Sequence, residues 1–202
     1  PDATLSSQGT WGTAWDPDTL NGLYVVGQGV PEAFYASNES ANFDYALTDI
    51  SDVDDALSAD FPRGVAVKNE GAQKWAYIGQ GSSEIAKFQL DASNKLVPSS
   101  RFNILNLADT RYSKFVKTDE AGNLYWVNRR DDDATNAGEG GKLVRWDAAD
   151  VEALTLDSDT KLTLADASWN VDVPAGATDL ADVVIDSNGD VFVVISGDGI
   201  YS

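Results

Sequence analysis

The chain has 202 residues, of which 33 are acidic and 14 are basic, so its formal net charge at pH 7 is −19. This charge disfavours nucleic acid and anionic membranes as partners, because binding to either needs clustered cations. The sequence contains no cysteine and no histidine. Disulfides, thiolate or imidazole metal ligands and histidine-dependent catalytic triads are therefore excluded. With 43% hydrophobic residues, the chain can still bury a sizeable core.

Four apolar hairpins follow one another along the chain, each with two strand-like runs joined by a polar or glycine-bearing turn. The first run of each hairpin ends at an anchor residue, and successive anchors lie 52, 51 and 67 residues apart. This spacing indicates one supersecondary unit per repeat, with an insertion in the third. The four anchor residues are Asp16, Lys68, Asp119 and Asp186.

Two of the repeats also agree beyond the hairpin. Residues 26–32 and 78–84 match at five of seven positions when valine and isoleucine count as equal. Each repeat then continues into further strand-like segments. The predicted third strands are residues 33–35, 85–90 and 142–146, and the predicted fourth strands are 43–47, 102–105 and either 162–164 or 169–171.

Four antiparallel strands per repeat, arranged radially, define a β-propeller. We therefore predict an all-β propeller of four-stranded antiparallel blades, forming one domain over residues 1–202. A β-sandwich is the alternative, but it does not explain why Gly-Gln-Gly recurs at equivalent positions of two repeats, residues 27–29 and 79–81. At most one helical turn is expected, over residues 151–156. The predicted blades are residues 10–59, 60–110, 111–178 and 179–202.

The fourth repeat contains its first hairpin and the beginning of a third strand at residues 199–202. About three and a half to four blades are thus expected, as part of a larger ring. The alternative is a four-bladed ring in which residues 3–7 complete the last blade, since an open propeller exposes strand edges.

Glycine-rich segments resemble nucleotide-binding loops only superficially. Residues 138–142 end in a lysine that is followed by leucine, where a phosphate-binding loop needs a hydroxyl. Residues 27–29 and 79–81 lack a third glycine and lead into strands, so we interpret them as structural turns. Residues 16–18 and 186–190 are likewise predicted to be turns, because Asp, Asn and Gly favour turn conformations.

The candidate metal ligands are Asp131, Asp132 and Asp133, in the longest loop between predicted strands, residues 128–141. Hard oxygen ligands at close spacing can hold Ca²⁺. The twelve-residue calcium-loop pattern is absent, however, and we favour a solvated acidic loop.

The loops around the central channel on one side of a propeller form the fold's usual binding face. The predicted strand map puts Arg63, Arg111, Tyr112, Arg129 and Arg130 on this face. The planar arginine side chain suits carboxylate, phosphate or catecholate oxygens, so we predict a ligand-binding site there. The alternative is that these arginines pair with nearby acids, namely Asp60, Asp109 and Asp131 to Asp133.

Residues 118–127, 141–147 and 184–193 resemble blades of NHL-type and gluconolactonase-like propellers. Residues 87–97 are similar to segments of surface-lipoprotein propellers from Gram-negative bacteria, some of which capture ferric siderophores. Gluconolactonase-like enzymes hold a divalent metal with Glu, Asn and Asp around the channel. Those ligands are not matched residue by residue here, so the resemblance implies the fold and not the activity.

We predict an exported, non-catalytic propeller that binds a small anionic ligand, a metal chelate such as a ferric siderophore, or another protein chain. The expected location is secreted, periplasmic or at the cell surface, and Ca²⁺ is the one candidate cofactor. Two alternatives stay open, because fold does not decide function. One is a metal-dependent lactonase-like enzyme using Asn128 and Asp131 to Asp133. The other is a structural subunit of a cell-surface assembly.

Overall fold

The computed structural model describes residues 10–19, 22–27, 32–38, 45–49, 62–80, 84–105, 111–130, 142–172, 180–195 and 199–201. In these ranges the chain forms four antiparallel sheets in which each strand pairs with the next one along the sequence. Three of the sheets have four strands and the last has three described strands. This arrangement agrees with the predicted fold class of four-stranded antiparallel blades.

The first sheet consists of β1 (Thr10–Trp15), β2 (Gly22–Gly27), β3 (Glu32–Asn38) and β4 (Tyr45–Asp49). The second consists of β5 (Gly64–Glu70), β6 (Gln73–Gln80), β7 (Glu84–Gln89) and β8 (Phe102–Asn103). The third consists of β9 (Arg111–Thr118), β10 (Leu124–Arg130), β11 (Lys142–Trp146) and β12 (Trp169–Asp172). The fourth consists of β13 (Leu180–Ile185), β14 (Val191–Ile195) and β15 (Gly199–Tyr201), and one short helix, α1 (Ala148–Glu152), lies between β11 and β12.

Aspartate side chains build the first hairpin turns of the third and fourth sheets. Asp119 Oδ1 accepts a hydrogen bond from the Asn123 N–H at 2.9 Å. Asp186 Oδ1 accepts one from the Asp190 N–H at the same distance. In each turn the glycine one position before the donor has φ +83°, which glycine adopts without steric cost. The two turns are copies of one motif, and the turn prediction for residues 186–190 is confirmed.

The hydrophobic core lies between successive sheets. Tyr24 of β2 and Phe88 of β7 belong to the core that joins the first and second sheets. Trp126 and Trp146 belong to the core between the second and third sheets, where both are fully buried and their ring centroids lie 6.1 Å apart. Each blade therefore depends for its burial on the blade beside it, as in other repeat proteins.

The first strands of the first three sheets, β1, β5 and β9, lie side by side. A Cβ atom on Gly12 would lie 2.8 Å from the Gly64 Cα, and a Cβ atom on Gly64 would lie 2.6 Å from the Val116 backbone nitrogen. Both distances are too short for a side chain, so glycine permits this close approach. The three strands are the inner strands of their blades.

The structure resolves the ambiguous fourth strand of the third blade. β12 begins at Trp169, whereas Leu162 forms an isolated parallel bridge to Leu105 of the second blade. The Leu162 N–H donates to the Ile104 carbonyl at 2.8 Å, and its side chain is buried. Leu162 thus fills the core between two blades and does not begin a fourth strand. The predicted helical turn exists, but α1 begins three residues earlier than expected.

Several segments predicted as loops or turns prove to be partly strand, among them residue 27, which ends β2. Residues 111–114 belong to β9, residues 128–130 to β10, and residues 79–80 to β6. These predictions were wrong because they ended each strand where its run of apolar residues ends. Backbone pairing needs no apolar side chains, so a ladder can continue through arginine and glutamine.

Candidate functional site

The predicted ligand-binding residues lie where the inner strands begin. Arg63 directly precedes β5, and its backbone N–H donates to a β6 carbonyl at 2.9 Å. Arg111 and Tyr112 begin β9, while Arg129 and Arg130 end β10. In the ladder, Arg129 lies opposite Tyr112 and Arg130 lies opposite Arg111. Four of the five predicted residues are therefore neighbours at one end of the third sheet.

The β9–β10 ladder is irregular beside these residues. Val127 pairs with Phe115, but Asn128 pairs with Ser113, so Lys114 is an extra residue in β9. The first and fourth sheets show a register shift at the equivalent end of their inner strands. Bulges of this kind bend a strand and re-aim its residues, and they are frequent next to functional sites. The irregularity lies directly beside the strand ends that carry the predicted arginines.

The candidate metal ligands Asp131, Asp132 and Asp133 lie outside the described residues. Within the described ranges, no group of three or more His, Cys, Asp or Glu side chains could hold a metal ion. Some of the described carboxylates, such as Asp16 and Glu152, instead pair with lysines of a neighbouring blade. Ca²⁺ binding by residues 131–133 stays a prediction.

A second candidate set consists of rows of residues that pair with one another across the strands of each sheet, and each row includes polar side chains. We call them tyrosine rows, because in the first three sheets the member on the second strand is tyrosine. The row of the first sheet is Ala14, Tyr24, Tyr35 and Thr48. That of the second sheet is Ala66, Tyr77, Lys87 and Phe102. That of the third sheet is Lys117, Tyr125, Arg145 and Trp169.

The first tyrosine row is covered by the second blade. The Tyr24 hydroxyl donates to Asn94 Oδ1 at 2.8 Å, and Asn94 belongs to the connection between β7 and β8. Lys74 Nζ donates to the same oxygen at 3.0 Å and pairs with the Asp16 carboxylate at 2.8 Å. The Tyr35 hydroxyl donates to Asp16 at 2.9 Å. Burial, together with that bond, raises the pKa of Tyr35 to about 12.

The second tyrosine row is covered by the third blade and encloses a lysine. Lys87 is 1% exposed, and its Nζ lies 2.7 Å from the Glu70 carboxylate. Its Nζ also lies 3.3 Å from the Val151 carbonyl of α1. The Tyr77 hydroxyl donates to the other Glu70 oxygen. A buried carboxylate thus joins the tyrosine and the lysine of one row.

Aromatic rings and a second lysine complete this ionic cluster. Lys87 Nζ lies 4.8 Å from the centre of the Trp75 ring and 5.8 Å from that of Phe102, within the range of cation–π attraction. Lys68 lies 3.7 Å from Glu70 and 3.1 Å from Glu152 of α1. Burial lowers the pKa of Lys87, and Glu70 opposes that shift. Lys87 and Lys68 are buried, whereas Glu152 is 43% exposed, and the ion pairs of the cluster join the second blade to the third.

The third tyrosine row lines a cleft of about 470 Å³. Tyr125 donates to Asp119 Oδ2 at 3.1 Å, and its ring lies edge-on to Trp169 with centroids 6.0 Å apart. The Arg145 guanidinium lies 6.0 Å from the Tyr125 ring centre and 2.9 Å from Asp147. Burial, followed by the bond to Asp119, raises the pKa of Tyr125. The turn at residues 186–189 of the fourth sheet closes one side of the cleft.

Sequence reasoning did not find the tyrosine rows. The signal was present, since each tyrosine pairs with the residue two positions before the anchor of its repeat. A search for that position in each hairpin yields Tyr24, Tyr77 and Tyr125, and Phe192 in the fourth. The partners on the third strand could not be aligned in advance, because the turns between second and third strands differ in length.

The fold defines the class of protein. Sheets of sequential antiparallel strands, inner strands side by side and cores between successive sheets make this chain a set of β-propeller blades. No family model matches the sequence, and no curated protein matches it significantly. The class therefore rests on the structure.

Solved structures with the same fold include two bacterial enzymes. The PQQ-bound aldose sugar dehydrogenase of Streptomyces coelicolor aligns with 91% of this chain at 14% identity and a TM-score of 0.59. The periplasmic gluconolactonase PpgL of Pseudomonas aeruginosa aligns with 93% at 14% identity and a TM-score of 0.54. Similarity at this level shows the propeller fold.

The chain spans about half the length of these two proteins, 55% of the first and 54% of the second. None of the described helices is long and apolar enough to cross a membrane.

Proposed function

We propose that these blades belong to an exported, non-catalytic binding protein that takes a small anionic ligand where the inner strands begin. The observation that supports this proposal is the β9–β10 register, in which Arg130 lies opposite Arg111 and Arg129 lies opposite Tyr112. Like charges at directly opposite positions destabilise an antiparallel ladder. An anion bound between two arginines offsets that repulsion.

The net charge of the chain also favours an anion site built from clustered arginines. A protein of net charge −19 repels anions in general, so an anion needs a local concentration of cations to bind. Arginine also offers two parallel donors to a carboxylate, which gives directional recognition as well as charge. Arg63 directly precedes the neighbouring inner strand, β5, whose first residue, Gly64, approaches the backbone of Phe115 and Val116 in β9. We propose these residues as the ligand contacts.

The proposed ligand class is an acidic sugar or an anionic metal chelate. Both enzymes of similar fold are named for sugar chemistry, one as an aldose sugar dehydrogenase and the other as a gluconolactonase. A sugar acid combines a carboxylate for the arginines with hydroxyls for polar neighbours such as Tyr112. A ferric siderophore offers anionic oxygens of the same kind.

The test is a calorimetric titration with gluconate, glucuronate and a ferric catecholate. A probe that binds is expected to lose its affinity in Arg129→Gln/Arg130→Gln. Its affinity should also fall between about 0.1 and 1 M salt, where the Debye length contracts from about 10 to about 3 Å. The matched control is Lys161→Glu, which makes the same change in net charge at an exposed residue far along the chain. Equal loss in the control, or no loss in the double variant, contradicts the proposal.

The second candidate is an enzyme, favoured by the fact that both proteins of similar fold are enzymes. The described residues supply no group that could hold a metal, so no catalytic step follows from them. The candidate metal ligands are then Asp131, Asp132 and Asp133. Saturating Ca²⁺ at about a hundredfold over Kd would stabilise the protein by about 2.7 kcal/mol, and Asp132→Ala would abolish that gain. Hydrolysis of gluconolactone that depends on the same aspartate would establish the enzyme.

A further inference from the structure

The first two tyrosine rows are covered in the same way. In both, the covering residue belongs to the connection between the third and fourth strands of the next sheet. Asn94, between β7 and β8, accepts the hydrogen bond of Tyr24, and Val151, between β11 and β12, accepts the bond of Lys87. In both sheets, therefore, a residue of the tyrosine row binds the connection between the third and fourth strands of the next sheet, and the row is the receptor for that connection.

The charges at this position are complementary in both rows. The anchor Asp16 of the first hairpin meets Lys74 of the second sheet at 2.8 Å. The anchor of the second hairpin is a cation, Lys68, and it meets Glu152 of the third sheet at 3.1 Å. The sign of the anchor is therefore matched by the opposite sign on the covering blade. These two pairs give a rule that can be applied to the third row.

The third row has the receptor without a covering turn among the residues that the structure describes. Arg145 and Trp169 are only half-buried, and the cleft above them is also lined by Asp119, Glu120 and Asp186. Arg145 is the single cation among the residues that line the cleft. The turn of the fourth sheet, residues 186–190, contains no lysine or arginine. Among the described residues, Asp119 therefore has no lysine or arginine partner of the kind that Lys74 provides for Asp16.

We propose that this cleft is a receptor for a basic, amide-bearing turn of polypeptide, carried on the fourth-sheet side of the interface. The turn would present an oxygen acceptor to Arg145, as Asn94 does to Tyr24. It would also present a cation to Asp119, where the first row uses Lys74 on the second strand of the covering sheet. The described turn with the closest chemistry is residues 91–95, in which Asn94 is followed by a lysine. This site is separate from the arginine site, because Asp119 follows β9 at the end opposite to Arg111.

The register of the fourth sheet allows a direct test. Tyr201 of β15 pairs with Val193 of β14. The residue before Val193, Phe192, corresponds to Tyr77 of the second sheet, which pairs with Lys87. The residue after Tyr201 therefore corresponds to Lys87. A copy of residues 88–105 fused after residue 202 would therefore continue β15 in register and place the copied turn over the cleft. Fusion gives this turn a high effective concentration, so weak docking becomes measurable.

The fused protein is expected to melt about 2 to 4 °C higher than the unfused chain, the shift that one good interaction produces in a domain of this size. The matched control is the same fusion with Asn94→Ala and Lys95→Glu made in the copied segment alone, which should lose the rise. Arg145→Ala in the fused protein should lose it as well. Arg129→Gln/Arg130→Gln should keep it, which separates this inference from the proposed function.

Two results overturn the proposal. The first is an equal rise, or no rise, in the fusion and its acidified control. The second comes from the unfused protein. If a neutral monosaccharide raises its melting temperature and Trp169→Ala abolishes that effect, the cleft is a sugar pocket and not a receptor for a turn.

Discussion

The second and third tyrosine rows occupy the same ladder positions and yet have opposite environments. In the second row, Lys87 is enclosed by Glu70 and by the Val151 carbonyl of the next blade. In the third row, Arg145 keeps 23% of its side chain exposed and pairs with Asp147 beside it on its own blade. The cation is retained in both rows, but only one is cut off from water.

This difference shows that a blade does not determine the environment of its own residues. The connection supplied by the next blade decides whether a row becomes a closed ionic cluster or an open cleft. A buried charge is costly unless it is paired, whereas a half-exposed pair contributes little either way. Equivalent substitutions in the two rows should therefore have unequal effects.

The largest expected difference is between Lys87→Met and Arg145→Met. The first leaves Glu70 buried without its closest cation and should destabilise the protein by about 3 to 5 kcal/mol. The second removes a partly exposed pair and should cost about 1 kcal/mol or less. Urea unfolding of both variants measures the two values. Equal costs would mean that the second row is not closed.

A double variant tests whether that cost is the loss of a partner. Glu70→Leu added to Lys87→Met removes the carboxylate that has lost its closest cation, so the pair of changes should cost about 0.5 to 3 kcal/mol less than the sum of the single changes. The same cycle made with Arg145→Met and Asp147→Leu should be additive within about 0.5 kcal/mol. Additivity in both cycles would contradict the ionic cluster.

The tyrosine hydroxyls give a smaller contrast. Tyr77→Phe leaves a Glu70 oxygen without its hydroxyl donor inside the core and should cost about 1 to 3 kcal/mol. Tyr125→Phe should cost about 0.5 to 1.5 kcal/mol, because Asp119 keeps the side-chain and backbone donors of Asn123. Denaturant midpoints of the two variants decide the order, and a larger loss at Tyr125 would reverse the comparison.

The smallest expected effect is a dependence on pH. The pKa of Lys87 is lowered from 10.5 by burial, so above its folded pKa the unfolded chain binds more protons than the folded one. The burial penalty is then present below the lowered pKa and is relieved as the pH rises towards 10.5. As the pH rises from neutral towards 10.5, wild type should gain stability relative to Lys87→Met. A flat difference between the two would show that Lys87 titrates like an exposed lysine.

The four hairpins were predictable because a half-buried strand alternates with a period of two, and Asp-Asn-Gly turns mark where it reverses. Alternation alone did not show which face is covered. Val183 is buried, but its neighbour Val184 is 53% exposed, although both are valine in one strand. The face that Val184 presents has no described blade beside it. Sequence cannot distinguish two valines whose burial depends on a neighbouring blade.

The position of the predicted arginines could be foreseen in part, and ligand binding by them stays a prediction. The arginines of β9 and β10 were placed on one face of the propeller, but their exact pairing needed the register and its irregularity beside Lys114. The ionic cluster could not be foreseen, because Lys87 meets Glu70 at 17 residues' separation and Val151 at 64. Such contacts depend on how the blades pack and leave no local pattern in the sequence.

The parallel bridge between Leu105 and Leu162 bears on how the blades come apart. It fastens the outer end of the second blade to the third, in addition to the core that the two share. Cooperative units in proteins follow such shared contacts, so these two blades should open together. The Leu162 amide proton should then exchange with solvent as slowly as those of the central strands, although it lies outside any regular strand. Among the described strands, β15, at the edge of the fourth sheet, should have the amide protons that exchange fastest.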